Sequence, residues 1–277
     1  TLDAERAHLH AESEVPPPEP APNSASLRRD LDILDLLASA ECRRRGGLGV
    51  VRIAERLGRE NSQVSRALRA LAAAGMVERN PETLDYRLGW RLYAYAARTF
   101  EAWLVHVAGP FIRRLVASLQ ETTHLCVLRG NQVLTLWTEA PVHAYRALTW
   151  EGMPVPVLDT SAGRALICHW EPDVVRQWFA DDLPGSSGRP RLRTVDQLTA
   201  ELCAIRNRGY ALVRDELEVG VASCSAAVED FRHQSVAAVN VSGPEHRLGA
   251  RLDRAGPMAA RAAADISRAL RHASPNG

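Results

Sequence analysis

The sequence predicts an α+β fold, and three observations support that prediction. Apolar residues recur at helical spacing in three consecutive segments between residues 26 and 75. The period then changes to alternation in two short segments, "MVER" and "LDYRL", which the turn "NPET" separates. Beyond residue 109, strand-like and helical segments are interleaved, as is typical of an antiparallel sheet covered by helices.

The three helical segments and the alternating pair together predict a winged helix-turn-helix. We expect Ser26 to cap the first helix and Asn61 or Ser62 to cap the third. Gly58 and Gly75 are expected to end the second and third helices. The expected buried stripes are, in chain order, Leu27, Leu31, Leu34 and Ala38, then Ile53, Ala54 and Leu57, then Val64, Leu68 and Leu71.

Charge is distributed unevenly along the chain. The 277 residues carry a net charge of +1, and every basic residue apart from histidine is an arginine. Residues 1–26 hold one arginine and five acids, whereas residues 27–100 hold fourteen arginines and nine acids. A locally basic segment suggests a polyanionic partner, and the forked guanidinium group suits phosphate. The acidic, proline-rich start of the chain has too few apolar residues to fold by itself and is predicted to be a flexible tail.

The outer face of the third helix carries polar side chains at fixed spacing. Ser62, Arg66 and Arg69 lie opposite the apolar stripe, and Gln63 flanks them. A merely solvated surface is the alternative, but the adjoining helices, the wing and the local charge favour a helix that enters the major groove of duplex DNA. The residues expected at DNA are Asn61, Ser62, Gln63, Ser65, Arg66 and Arg69 on this helix, with Arg28, Arg29, Arg79 and Arg87 at flanking phosphates.

Residues 90–104 again show helical spacing. An apolar seam typical of a short two-helix contact is formed by Trp90, Tyr93, Ala97, Phe100 and Leu104. Such a helix either links the domains and pairs two chains or packs on the core of its own domain, and the sequence leaves both open. With Gly109-Pro110 as a boundary, the expected divisions are a tail (1–25), the winged domain (26–89), a linker and dimerisation helix (90–108), a C-terminal domain (109–272) and a short tail (273–277).

The C-terminal domain is predicted to alternate between helices and strands. Helices are expected over about 111–120, from near Thr160, from near Pro172, from Thr194 to Gly209, and over about 257–272. The strand-like segments are "THLCVLR", "QVLTLWTEA", "HAYRALT", "YALVRDE", "SCSAAVED" and "SVAAVNVSG".

Several of these segments together resemble the IclR family of bacterial transcription regulators. They are "LDILDLLA", "IAERLGRENSQVSRALRALAAAGMVER" and "YRLG" in the N-terminal part, and "GMPVPVLDTSAGRALICHW", "IRNRGYALVRDELEVGVASCSAAVED" and "AVNVSGP" in the C-terminal part. The resemblance covers most of residues 27–270. It implies a GAF-like C-terminal domain, a homodimer or homotetramer, a near-palindromic double-stranded DNA operator and a small, often acidic effector.

The resemblance also implies an effector pocket. The positions that match the family's pocket are Ser161 and Ala162 in the small-residue turn, Ser223, Asn240, Ser242, and a position near Val213 or Asp215. The residues themselves support this, because the small side chains of "TSAG" let backbone N–H groups approach a ligand and the serines and asparagine add polar groups. Tight packing of small residues within a sheet is the alternative.

Catalytic and metal-binding alternatives have little support in the sequence. No G-x-S-x-G, Walker or H-E-x-x-H motif occurs, and His8 and His10 give only weak support for a metal site. Cys224, Asp230 and His233 could form a thiol–imidazole–carboxylate set, although a buried, inert thiol is more common. The sequence leaves open whether Glu151, Asp159 and Glu218 lie in the pocket or at the surface.

We therefore expect a sequence-specific DNA-binding regulator and not an enzyme. Its operator affinity is expected to depend on a small metabolite, which we expect to be an organic acid. We expect no cofactor and no metal. The five dispersed cysteines indicate free thiols in a reducing cytoplasm, and the lack of a run of ~18 apolar residues indicates that the chain has no membrane partner. The alternative is a small-molecule-binding or catalytic α+β domain whose N-terminal helices only dimerise.

Overall fold

The computed structural model describes residues 24–141, 151–180, 183 and 191–272. Most of the predicted N-terminal tail, the C-terminal tail and the strand predicted at "HAYRALT" (143–149) therefore lie outside the described residues. The chain divides into two units, the first ending at Thr99 and the second beginning at Phe100. Both units contain helices and strands, so the predicted α+β class is confirmed.

The first unit is a winged helix-turn-helix. Its helices are α1 (Ser24–Ala38), α2 (Ala40–Arg45), α3 (Val50–Leu57), α4 (Asn61–Ala73) and α5 (Trp90–Ala96). The wing pairs β1 (Val77–Arg79) with β2 (Tyr86–Leu88) in antiparallel register, and Leu48 forms an isolated bridge to Tyr86. The sequence did not predict the short helix α2, which Ser39 caps by accepting from the Cys42 N–H.

The buried face of α1 differs from the predicted stripe. Ile33 and Leu37 are in the core, whereas Leu27 and Leu31 are 63% and 48% exposed. At about 100° per residue, the predicted stripe lies roughly a quarter turn away from the buried one. The predicted cap was also wrong, because Ser26 lies inside α1. Glu60, and neither Asn61 nor Ser62, occupies the N-cap position of α4.

The end of α4 is tied tightly to the wing and to α5. Gly75 has φ +72°, and Met76 N–H donates to the Leu71 carbonyl at 2.9 Å, which closes the helix as predicted. Gly89 lies so close to this turn that a Cβ would come within 2.2 Å of the Gly75 carbonyl oxygen. Arg91 Nη1 then donates to the Ala74 carbonyl at 2.9 Å. The outer helix α5 is thereby fixed to the end of α4.

The helix predicted over 90–104 is two helices, and the boundary predicted at Gly109-Pro110 lies inside the second. Helix α5 ends at Ala96, and α6 runs from Phe100 to Leu119 with Pro110 in its interior. Proline removes one helical hydrogen bond, but the buried residues Leu104, Ala108 and Ile112 on either side hold α6 against the core. Tertiary packing thus overrides the local signal that the sequence gives at this position.

The second unit is built on an antiparallel sheet with the order β5-β4-β3-β8-β7-β6 in the described residues. Its strands are β3 (Thr122–Arg129), β4 (Gln132–Glu139), β5 (Pro154–Pro156), β6 (Ala211–Arg214), β7 (Val221–Glu229) and β8 (Ser235–Pro244). The long strands β3 and β8 are neighbours in the middle, with His124 opposite Asn240 and Thr122 opposite Ser242.

Each face of this sheet buries its own layer of helices. Helices α6 and α11 (Leu252–His272) cover one face, where Leu125, Cys224 and Val239 are buried. The other face carries α7 (Ser161–Leu166), α8 (Pro172–Phe179) and α9 (Val195–Arg208), and the short helix α10 (Glu245–Leu248) follows β8. Because side chains alternate along a strand, Ser223, Asn240 and His124 point toward the α7 side.

Candidate DNA-binding face and ligand cavity

The outer face of α4 is polar and accessible. Asn61, Ser62, Gln63, Arg66 and Arg69 are exposed and Ser65 is half-buried, while Val64 and Leu68 are 1% and 0% exposed on the opposite side. The structure thus brings together the helix residues that the sequence predicted at DNA. Arg69 Nε makes a long hydrogen bond of 3.4 Å to the Ser65 carbonyl, so its guanidinium stays on this face.

The start of α1 flanks this face. Arg28 and Arg29 are both exposed, and Arg29 Nε donates to the Ala25 carbonyl at 2.9 Å. Arg59, just before α4, forms an ion pair with Asp32 and donates to the Arg29 carbonyl at 2.8 Å. These bonds fix the start of α1 beside the start of α4.

The two wing arginines differ in their surroundings. Arg79 donates to the Leu84 carbonyl at 3.3 Å and lies over the Tyr86 ring, and its charge has no carboxylate partner in the described part of the chain. Arg87 instead pairs with Glu78 through two bonds of 3.1 and 3.2 Å. Because that carboxylate offsets its charge, Arg87 is the weaker phosphate candidate. Three further exposed arginines that the prediction omitted are Arg43, Arg44 and Arg45 on α2.

A cavity of about 80 Å³ opens on the α7 side of the sheet in the second unit. Five residues predicted for the effector pocket line it: Ala162, Val213, Ser223, Asn240 and Ser242. Ser161 lies directly behind them and is fully buried. Asp215 does not line the cavity, because its Oδ1 accepts from the Gly220 N–H at 2.6 Å and closes the turn before β7.

A chain of hydrogen bonds connects the polar groups behind the cavity. Asn240 Nδ2 donates to Ser161 Oγ at 3.0 Å and to Ser225 Oγ at 2.8 Å. Ser161 donates its single hydroxyl hydrogen to Ser223 Oγ at 2.8 Å, so Ser225 is the donor in the 2.8 Å bond between Ser161 and Ser225. Ser223 therefore accepts within the network, and its own O–H is left to donate toward the cavity.

His124 is a cavity residue that the sequence did not single out. Its Nδ1 lies 3.0 Å from Thr138 Oγ1 and its Nε2 lies 3.0 Å from Ser242 Oγ. Burial lowers its pKa from 6.5 to about 4, so the imidazole is neutral near pH 7. A histidine inside the strand-like segment "THLC" was the available signal, but the partners on β4 and β8 become visible only in the folded sheet.

Among the three acids left open by the sequence, two line the cavity. Asp159 and Glu218 are on its wall. Glu151 is not, and its carboxylate accepts a hydrogen bond of 2.7 Å from the Thr138 N–H. The neighbouring Arg164 does not face a ligand, because it forms a buried ion pair with Glu216 and donates to the Leu158 carbonyl at 2.8 Å.

The imagined catalytic set around Cys224 is not assembled. Cys224 is fully buried on the opposite face of the sheet, and burial raises its thiol pKa to about 12. His233 instead contacts Glu229, with 3.1 Å between Nδ1 and Oε2. A thiol with so high a pKa is an inert core group.

The residues of the predicted pairing seam fall into two groups. Trp90, Tyr93 and Phe100 are 64%, 79% and 46% exposed, and Ala97 is exposed in the turn between α5 and α6. Leu104 is fully buried in the core of the second unit, so it cannot contribute to a contact with another chain.

A winged helix-turn-helix followed by a separate domain, whose cavity has a few polar groups in an apolar wall, defines a ligand-responsive DNA-binding regulator. Comparison with known protein families identifies the particular family of regulators. The family model described as "IclR helix-turn-helix domain" matches residues 26–81, and the one described as "Bacterial transcriptional regulator IclR C-terminal" matches residues 98–268. The chain belongs to the IclR family of bacterial transcription regulators, as the resemblance implied.

Similar proteins of known sequence and structure agree with this assignment. The HTH-type transcriptional regulator BhcR of Paracoccus denitrificans is 31% identical, with 87% of this chain and 86% of BhcR covered. The glycerol operon regulatory protein of Streptomyces griseus is 32% identical, with 82% and 88% covered. These relatives are regulators, so the chain belongs to a family of regulators and not of enzymes.

Solved structures share the fold. An IclR homolog from Microbacterium hydrocarbonoxydans, complexed with 4-hydroxybenzoate, superimposes with a TM-score of 0.75 at 23% identity, with 90% of this chain and all of that chain covered. The Thermotoga maritima IclR has a TM-score of 0.71 at 21% identity, with 90% and 99% covered. Within the described residues, no helix is both long and apolar enough to span a membrane.

Proposed function

We propose that the outer face of α4 binds the major groove of duplex DNA and that Arg66 and Arg69 carry the contact. The observation that supports this most strongly is the exposed row of Ser62, Gln63, Arg66 and Arg69 on the side opposite the buried Val64 and Leu68. Arginine hydrogen-bonds guanine with its fork, and glutamine pairs with adenine. Arg28, Arg29 and Arg79 would then hold flanking phosphates.

Duplex titrations at several salt concentrations test this proposal. The variant Arg66→Ala/Arg69→Ala should bind a labelled mixed-sequence duplex about tenfold or more weakly, with the salt slope reduced by about 2. A matched control is Arg254→Ala/Arg261→Ala, which removes two exposed arginines from α11 and should keep the parent's affinity and slope. Equal losses in the two variants would show that only net charge matters and would refute the proposal.

We further propose that the cavity binds a small organic acid. The supporting observation is the hydroxyl of Ser223, which is the free donor at the end of the network formed by Asn240, Ser161 and Ser225. A free donor suits an acceptor such as a carboxylate oxygen. The Microbacterium relative is complexed with such an acid, 4-hydroxybenzoate. Neutral His124 and Ser242 provide further hydrogen-bonding groups on the wall.

A thermal-shift screen tests the ligand class. We expect 4-hydroxybenzoate or a related small acid to raise the unfolding temperature, while uncharged glycerol at the same concentration does not. Ser223→Ala removes the donor and should weaken binding of the acid about tenfold. Ser118→Ala, on the exposed side of α6, should leave it unchanged. If Ser223→Ala binds the acid as well as the parent does, this assignment is wrong.

We also propose that the chain acts as a homo-oligomer in the cytoplasm. None of the seven residues of α5 is buried, although three of them are aromatic, and such a face is usually covered by another chain. Sedimentation analysis should show a dimer or tetramer, with Tyr93→Arg reducing the assembly and Phe231→Arg leaving it intact. An unchanged mass for Tyr93→Arg would exclude this face from the contact.

Regulation would follow from differential binding of the effector. If the acid binds better to one arrangement of the paired chains, it changes the separation of the two α4 helices and hence the operator affinity. To change the operator from mostly occupied to mostly free, the acid must bind one arrangement about 5 kcal/mol more favourably than the other. Equal DNA affinity with and without saturating acid would exclude this mechanism.

A further inference from the structure

A polar groove of about 460 Å³ lies between α1 and α4 in the first unit. Its described wall carries the arginines Arg29, Arg59 and Arg66 and a single acid, Asp30. Asp32 already pairs with Arg59, whereas Arg66 forms no ion pair with any of the residues that the structure describes. The groove therefore has a surplus of positive charge, and part of it belongs to the face proposed for DNA.

The described part of the chain begins beside this groove, and residues 1–23 precede it in the sequence. The described chain begins at Ser24, the first residue of α1, and Ser26 lines the groove two residues later. The 23 preceding residues carry the acids Asp3, Glu5, Glu12, Glu14 and Glu19 against one arginine, Arg6. Their net charge of −4 is opposite in sign to that of the groove.

We propose that this acidic N-terminal segment docks in the groove and competes with DNA for Arg29 and Arg66. At about 3.1 Å per residue, a proline-rich chain of 23 residues can span up to roughly 70 Å, which exceeds the length of about 20 Å expected for α4. The acids can therefore reach both the groove and the outer face of the helix. The inference rests on the proposed DNA-binding function, since it uses the same arginines.

Tethering makes a weak contact effective. A segment joined directly to its binding site has an effective concentration in the millimolar range, so even a poor ligand occupies the groove for much of the time. The acids lower DNA affinity by a factor that depends on this occupancy. Because the attraction is electrostatic and largely exposed, salt weakens it. The segment would thus increase the difference in affinity between the operator and other DNA, because it competes mainly with weak, phosphate-driven binding.

Three proteins test the proposal with a fluorescein-labelled, mixed-sequence duplex of about 30 base pairs at about 50 mM and 200 mM salt. They are the full chain, a chain that begins at Ser24, and a full-length variant with Asp3→Asn, Glu5→Gln, Glu12→Gln, Glu14→Gln and Glu19→Gln. We expect the last two to bind about fivefold more tightly than the full chain at the lower salt, with the difference falling below about twofold at the higher salt. A synthetic peptide of residues 1–23 should compete with the duplex for the shortened chain, and its amide-substituted counterpart should not.

The outcomes separate this inference from the function on which it rests. If all three proteins bind the duplex with equal affinity, or if either altered protein binds more weakly, the inference is overturned and the DNA-binding proposal stands. If none binds the duplex above background at low salt, the DNA-binding proposal itself fails. A gain in the shortened chain that the amide-substituted variant does not share would show an effect of chain length, which also overturns the inference.

Discussion

At the residue scale, the side chain of His124 is a polar group that lines the cavity without carrying a charge near pH 7. It is 6% exposed and lies between two hydroxyl groups, so it can hydrogen-bond at both nitrogens while neutral. Protonation would place a positive charge in a buried site where, among the described residues, its hydrogen-bond partners are hydroxyl groups and not carboxylates. Folding therefore opposes protonation of this group.

We predict that this histidine makes the second unit less stable in acid. Its folded-state pKa of about 4 lies below the unfolded value of 6.5, so the unfolded chain takes up the proton first. The stabilisation is fully present above pH 6.5 and is lost as the pH falls toward 4, by about 3 kcal/mol in all. Chemical denaturation at a series of pH values should show this dependence in the parent and lose it in His124→Gln. The exposed His106→Gln should keep the parent's dependence; equal curves for the parent and His124→Gln would contradict the prediction.

We also predict a sharp division among the thiols. Cys203 is exposed, whereas Cys42, Cys126, Cys168 and Cys224 are buried. Burial raises the pKa of the Cys126 and Cys224 thiols to about 12 and that of Cys168 to about 11. Alkylation followed by mass spectrometry should label Cys203 quickly and the others only after unfolding. Rapid labelling in a Cys203→Ser variant would revive the possibility of a reactive thiol.

The sequence identified only part of the cavity, for a physical reason. Ser223, Asn240 and Ser242 could be proposed because the family resemblance points to them and their polar side chains suit a ligand pocket. His124 lies on β3 and Thr135 on β4, and nothing local shows that β3 pairs with β8 in the sheet. The side-chain pairing of Arg87 with Glu78 was hidden for the same reason, since it depends on the register of the hairpin.

At the element scale, the close approach of α7 to the segment before it shapes the cavity. Thr160 caps α7 by accepting from the Gly163 N–H at 3.0 Å. A Cβ on Gly163 would lie 2.0 Å from the Val157 carbonyl oxygen, so the helix can reach this position only because residue 163 is glycine. The glycine thereby allows α7 to hold Ser161 and Ala162 against the sheet.

We therefore predict that Gly163→Ala destabilises the second unit by about 2 to 4 kcal/mol, because the backbone must move to relieve the overlap. Gly109→Ala is the matched control. It lies inside α6, and its added Cβ meets only the flexible end of Arg113 at 3.4 Å. That change should be neutral or stabilising by up to about 1 kcal/mol, since alanine favours helix. Thermal unfolding of both variants measures the difference, and a similar effect in the two would contradict the packing argument.

The sequence predicted most of the helices, but it predicted their buried faces and their ends less accurately. The spacing of Val64, Leu68 and Leu71 predicted the inner side of α4 correctly, since the first two are buried and Leu71 is half-buried. In α1 the leucines at 27 and 31 misplaced the stripe, since the start of this helix has little of the first unit to pack on. The break between α5 and α6 carries no proline or glycine, so nothing in the sequence marked it.

At the scale of the whole molecule, the chain consists of two units with different surfaces and cores. The first presents arginines above a small apolar core, and the second encloses a cavity with polar and apolar lining between its sheet and α7. The uneven charge along the chain predicted that residues 27–100 form the basic part of the molecule. The boundary itself was displaced, because α6 belongs to the core of the second unit and not to a separate linker.

Selection from a random duplex library most directly tests the central claim, that the α4 face reads DNA sequence as part of a paired regulator. We expect the parent to enrich an inverted repeat whose half-sites lie about 10 base pairs apart, centre to centre. Arg69→Ala should keep the spacing and relax the preference at one position of each half-site. A parent that enriches no motif, or an Arg69→Ala variant that enriches the parent's motif unchanged, would contradict the account.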